Sequence, residues 1–345
     1  MPASIQPKLC SSLITSRTRS IRWAAPTPAR GPSLAPWRRP LIAYRCPSME
    51  TVAFELVPSH LEAGTERATA EGRKLAEQCR ASGLDAHVRH VMIPGMIAED
   101  SDRPVEMRPR MDTLDFWRAV SPELDAVSGL CTQVTAFHAK PELAERLGAL
   151  CDAGMDGITF VGVPRTMADG EGPGVAPTDA LAEFRDVVAN RGVILIPTRE
   201  GEQERFSFKC ERGATFGMTQ LLYSDAIVDF LNEFARQHAH RPEILLSFGF
   251  VSPAEDRVKL IDWLIKDPGN DAVEQEQAFV ARLARSSLEQ QKTELLDLYK
   301  RILHGVIDLG FPLSIHLEAP YGVAQPAFEV FAAMLDHWAP RARGS

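Results

Sequence analysis

The chain has 345 residues, 45% of them hydrophobic and 24% charged, and a formal net charge of -8. This is the composition of an ordinary soluble globular protein, and its acidic balance excludes general affinity for nucleic acid or for an anionic membrane surface. The length admits two average domains, or a single barrel of eight βα units, which needs roughly 250 residues, with a tail.

Residues 1–48 stand apart, with eight Lys or Arg, no Asp or Glu, and repeated Pro and Ser. Such a stretch is expected to be disordered. Its composition resembles a transit peptide, but its prolines spoil an amphipathic helix and it lacks the apolar core of a secretory signal. Met49 stands directly before the first strand, and the simpler reading is an upstream extension that adds nothing to function. The folded domain is then 49–345. No run has the length of a membrane span. The six cysteines are scattered, with no CxxC pair and no metal-ligand spacing, which suits free thiols, a cytoplasmic protein and no metal.

From Thr51 onward, eight apolar stretches alternate with helical patterns. The strands are expected at Thr51–Val57, His87–Ile93, Cys131–Phe137, Gly157–Val163, Gly192–Pro197, Ala214–Gln220, Ile244–Phe250 and Leu313–Ala319. Helices are expected between them at Glu62–Ser82, Pro141–Ala153, Thr178–Asn190, Asp225–Gln237 and Ser287–Leu309. Strict alternation of this kind implies a parallel sheet, and eight units imply closure into an α/β fold of the (β/α)8 TIM-barrel type. The longer, charged segments 96–118 and 253–286 read as excursions at the rims. GEGPG at Gly170–Gly174 lacks the spacing of a phosphate loop and reads as a rim loop.

Alternation within strands says which side chains point inward. In Thr51–Val57, Val52, Phe54 and Leu56 form the face for the helices, so Ala53 and Glu55 face the barrel interior. In Leu313–Glu318 the inward set is Ser314, His316 and Glu318. Two strands therefore bring acids to the same end, the carboxyl end, where barrels of this type keep their chemistry. Lys209–Leu231 forms one βα unit, with Gly213 at the turn, Gln220 where the strand stops and Ser224 as a helix cap.

These positions match a known pattern. FELVP at Phe54–Pro58 resembles the FEFFPP opening of methylenetetrahydrofolate reductases, and KCERGATFGMTQLLYSDAIVDFL resembles their K-aGA-fiiTQ-ff-f segment. Weaker echoes follow in order at Gly154-Met155, Gly192–Pro197, Ser247–Pro253 and Leu313–Pro320, so the resemblance spans about residues 51–325. It implies a TIM barrel, with Glu55 as general acid and Gln220 as a hydrogen-bond partner of the folate pterin. His316 and Glu318 become candidate substrate contacts, and Thr135, Gly162 and Lys209 candidate cofactor contacts. The departures matter equally. Where the family carries LRGD, this chain has Val161-Gly162-Val163-Pro164, and the family's yPE-H segment is here Ile196-Pro197-Thr198-Arg199-Glu200. Both losses fall on flavin-binding loops.

The resemblance implies reduction of 5,10-methylenetetrahydrofolate to 5-methyltetrahydrofolate with NADH or NADPH as hydride donor, and the departures from it imply that FAD is absent. Such a reaction needs a proton on N10 to open the imidazolidine ring. A carboxylic acid serves if an apolar setting disfavours its charge, and Phe54, Leu56 and Val57 are the neighbours of Glu55. The structural alternative is a Glu paired with an internal cation. With no Rossmann fingerprint present, the nicotinamide is expected in the barrel mouth. An ordinary FAD enzyme with altered loops and a folate-binding barrel without catalysis are the alternative functions.

Overall fold

The computed structural model describes residues 51–95, 108–125, 127–162, 174–266, 270–318 and 325–342, all within the unit Arg45–Ser345. The extension 1–48, residues 96–107 of the first excursion and most of the GEGPG stretch lie outside the described residues. Eight parallel strands pair in sequence order and close into a barrel, the last returning to the first. They are β1 (Val52–Glu55), β2 (Val88–Ile93), β3 (Ser128–Val134), β4 (Met155–Val161), β5 (Asn190–Leu195), β6 (Phe216–Thr219), β7 (Glu243–Gly249) and β8 (Leu313–Glu318). The expected (β/α)8 architecture is the one observed.

The helices that sheathe the barrel are α1 (Gly64–Ser82), α2 (Thr113–Val120), α3 (Lys140–Asp152), α4 (Pro177–Glu183), α5 (Glu202–Glu211) and α6 (Ala226–Gln237), followed by α7 (Glu255–Ile265), α8 (Asp271–Leu283), α9 (Leu288–Val306) and α10 (Gln325–Ala342). The second excursion therefore holds two helices, α7 and α8. No helix among the described residues is long and apolar enough to cross a membrane.

Two apolar layers hold the barrel. Outward residues such as Phe54, Ile158, Phe248 and Leu317 join the helices in one continuous core, while Ala53, Met92, Leu130, Phe216, Met218 and Leu245 fill the interior. Phe216 fits because β5 carries no side chain opposite it: a Cβ on Gly192 would lie 2.2 Å from the Phe216 ring. Burying such a ring contributes about 1.5–3 kcal/mol, so the glycine is a packing requirement. The tight turn from α5 towards β6 needs Gly213, whose φ is 108°.

The amino ends of the strands are closed by polar bonds. The Thr51 backbone N–H donates to Ser314 Oγ at 2.7 Å, and the Ser314 hydroxyl donates to the buried Glu243 carboxylate. His90 bridges Thr51 Oγ1 at 3.0 Å and Asp156 at 3.3 Å.

Most boundaries are shifted by a few residues from expectation, and three of the shifts have a visible cause. β3 starts and ends three residues early, because Ser128 and Gly129 already pair with β2 and the apolar Phe137 lies outside, 40% exposed. α4 stops at Glu183 although apolar residues continue. The Arg191 guanidinium donates to the carbonyls of Arg185, Val188 and Ala189 and holds that stretch as turn, and β5 begins at Asn190. Helix α6 is preceded by Asp225 without a side-chain cap bond, and Ser224 Oγ accepts from Ala226 N only at 3.4 Å.

Candidate active site

The carboxyl ends of β1 and β8 bring two acids side by side. Phe54 pairs with Leu317 in the parallel register, so the next residues, Glu55 and Glu318, stand level on the inner face. Glu55 is 8% exposed, and the Glu318 side chain is 14% exposed. The alternation read from sequence holds in both strands: Val52, Phe54, Leu313, Ile315 and Leu317 pack outward into the helix layer.

His316 lies one step deeper on the same face, 1% exposed. Its Nδ1 is 3.0 Å from Ser247 Oγ and 3.3 Å from Glu318 Oε1. Ser247 donates its single hydroxyl proton to the Thr219 carbonyl at 2.8 Å. Its oxygen is therefore left to accept, which makes Nδ1 a donor. In the tautomer protonated at Nδ1 alone, Nε2 is an acceptor, and it is buried with no hydrogen-bond partner among the described residues.

Gln220 follows β6, its backbone N–H bonded to the Leu195 carbonyl at 3.0 Å. Its side-chain amide donates to the Leu264 carbonyl near the end of α7, so the second excursion is fastened to the end of β6. Two further bonds fasten it, from Asn270 to the Thr198 carbonyl at 2.7 Å and from the Ser224 hydroxyl to Glu276 at 2.5 Å. Burial raises the pKa of the Glu276 carboxyl, with the Ser224 bond opposing.

The three candidate cofactor contacts are dispersed. Thr135 is fully buried beyond the end of β3, and its hydroxyl donates to the Val175 carbonyl at 2.6 Å. Lys209 is on α5, its ammonium reaching β5 to donate to the Ile194 carbonyl at 2.9 Å and pairing with Glu202 at 3.0 Å. Gly162 follows β4, and a Cβ there would meet Pro177 no closer than 3.5 Å among the described residues. Among the described residues, packing does not demand glycine at that point. Glu55, His316 and Glu318 thus share one face, Gln220 stands at the end of β6, and Lys209 is in the helix layer.

Two site residues had escaped sequence reasoning. Ser247 orients His316, and its signal was a polar residue at an inward position of an apolar strand. Tyr223 has a buried hydroxyl without a hydrogen-bond partner among the described residues, beside the carboxyl end of β7, and only its place three residues after Gln220 hinted at it.

A sequence profile described as mycobacterial methylenetetrahydrofolate reductase matches residues 48–342. The chain belongs to that reductase family. A search of curated protein sequences returns no match. Among solved structures, the chain resembles a Clostridium thermocellum protein described as binding two copies of 5-methyl-5,6,7,8-tetrahydrofolic acid. The TM-score is 0.60 at 14% identity, covering 84% of this chain and 96% of that one, and the likeness is one of fold. An aldolase, QR15, aligns with a TM-score of 0.42 at 10% identity over 84% of this chain and 97% of its own. Tryptophan synthase from M. tuberculosis aligns with a TM-score of 0.42 at 12% identity over 82% and 92%.

Proposed function

We propose that this family member is a cytoplasmic reductase that converts 5,10-methylenetetrahydrofolate into 5-methyltetrahydrofolate. The observation that carries the reading is Glu55, a buried acid at the inner carboxyl end of β1, level with Glu318, in a barrel of the reductase family. As an acid, Glu55 gives its proton to N10 while the bond from N10 to the methylene carbon breaks, leaving an N5 iminium; its burial excludes the water that would compete for that proton. Gln220, His316 and Glu318 hold the pterin from β6 and β8. A nicotinamide, NADH or NADPH, supplies the hydride that reduces the iminium carbon. Gly162, with no side chain, is the residue that lets its ring approach the end of β4.

In this reading the protein works without FAD, because LRGD and yPE-H, the family's flavin segments, are replaced at 161–164 and 196–200. The folate-binding description of the Clostridium thermocellum protein supports the substrate class. The test is an absorbance spectrum and an NADH-oxidation assay on the same preparation. A spectrum without a flavin band, with NADH consumed only when methylenetetrahydrofolate is present, is expected. Stoichiometric bound flavin would return the protein to the ordinary flavoenzyme class, and binding of folate without turnover would make it a noncatalytic binder.

A further inference from the structure

Like His316 Nε2, the Tyr223 hydroxyl is a buried polar atom that lacks a hydrogen-bond partner among the described residues. Tyr223 is 3% exposed, and its ring packs 6.5 Å from that of Phe279 on α8. Phenylalanine would satisfy that packing. A buried hydroxyl left unpaired among the described residues is unfavourable, which points to a ligand as its partner.

The position is specific. A Cβ on Gly249 would lie 3.0 Å from the Tyr223 oxygen and 3.8 Å from the Glu318 carbonyl, and Gly249 pairs with Glu318 in the β7–β8 register. The phenol therefore sits one layer above the Ser247–His316 pair, at the level of Glu318. Burial first, then the carboxylates of Glu318 and Glu276, drive its pKa far upward, so it remains a donor at any working pH. Both carboxylates have other partners: Glu276 Oε1 accepts from Ser224, and Glu318 Oε1 faces His316. Glu318, on the strand that pairs with β7 at Gly249, has the larger effect of the two, and its carboxylate supplies an acceptor at the level of the Tyr223 donor.

A donor next to an acceptor is complementary to the edge of a cyclic amide. We propose that Tyr223 and Glu318 read the lactam edge of the pterin, the phenol donating to the C4 carbonyl and the carboxylate accepting from N3–H. This inference rests on the folate reading of the same mouth. It makes Tyr223 a specificity-determining contact, since a ligand with an amino group at C4 would present a donor to a donor.

The experiment is titration calorimetry with tetrahydrofolate, its 4-amino-4-deoxy analogue and NADH, on wild type, Tyr223→Phe and Glu318→Gln, with melting curves of each. In Tyr223→Phe, tetrahydrofolate is expected to bind about tenfold more weakly and the analogue about as well as to wild type. NADH affinity and Tm should be retained. Glu318→Gln should also weaken tetrahydrofolate, which keeps the pair testable if the tyrosine variant fails to fold. An unchanged preference for the 4-oxo ligand in both variants overturns the proposal, as does a loss confined to NADH. A lower Tm with the preference intact assigns the hydroxyl a structural role and also overturns it. If wild type binds neither pteridine, the folate reading itself fails, an outcome distinct from wild-type binding with unaltered preference.

Discussion

Glu318 Oε1 lies 3.3 Å from Nδ1 of His316, two residues earlier on the same inner face of β8, and Ser247 holds that nitrogen from β7 at 3.0 Å. Held from two sides, the ring presents Nε2 as an oriented acceptor. His316→Asn retains a donor for Ser247 and removes that acceptor. Folate affinity or the folate-dependent rate should fall by about 1–3 kcal/mol with the melting curve unchanged. Normal kinetics in the folded variant would remove His316 from the site.

Gln220 now donates its amide to the Leu264 carbonyl, so a pterin contact at this residue competes with a bond that fastens α7. Gln220→Ala should weaken folate binding by about 1–3 kcal/mol. It should also speed amide hydrogen exchange in α7. Faster exchange with wild-type folate affinity would leave Gln220 as a fastener only.

The interior packing is equally testable. Gly192→Ala drives a methyl to within 2.2 Å of Phe216, and overpacking of this kind costs about 1–3 kcal/mol. Adding Phe216→Leu should recover part of the lost Tm. A second substitution that merely adds its own destabilisation would contradict the contact.

The acids and His316 were legible because inward and outward residues alternate strictly in β1 and β8, so polarity at even spacing gave direction. Tyr223 was not, since it lies beyond the end of β6, where no period fixes the side chain. Lys209 is a helical residue whose ammonium reaches the Ile194 carbonyl in the layer between α5 and β5, a tertiary contact with no local signature. The end of α4 was hidden for the same reason, because the guanidinium that holds the following turn comes from β5.

Glu276 gives a pH test. Burial raises its folded-state pKa above the ordinary 4.5, so its contribution to stability is full below the unfolded value and is lost as pH rises through the folded one. Glu276→Gln keeps an acceptor for Ser224 and carries no charge. It should melt higher than wild type near neutral pH, with the gap closing towards pH 4.5. A gap independent of pH would contradict a buried carboxylate as its source.

His90 has the opposite slope. Burial lowers its pKa below 6.5, with Asp156 opposing, so the unfolded chain takes up the proton first and stability is lost as pH falls below about 6.5. His90→Asn should flatten the decline in Tm on the acid side. A decline as steep as in wild type would assign the acid sensitivity elsewhere.

Single-turnover hydride transfer, measured on wild type and Glu55→Gln with a melting curve on each preparation, bears most directly on Glu55 as the acid that opens the ring. Glutamine keeps the size of the side chain and hydrogen-bond capacity but has no carboxyl proton to give to N10. The rate should fall roughly 10²–10⁴-fold while Tm and nicotinamide affinity are retained. A structural glutamate paired with an internal cation would lose Tm first and rate only as a consequence. Near-normal hydride transfer in a folded Glu55→Gln protein would contradict the assignment.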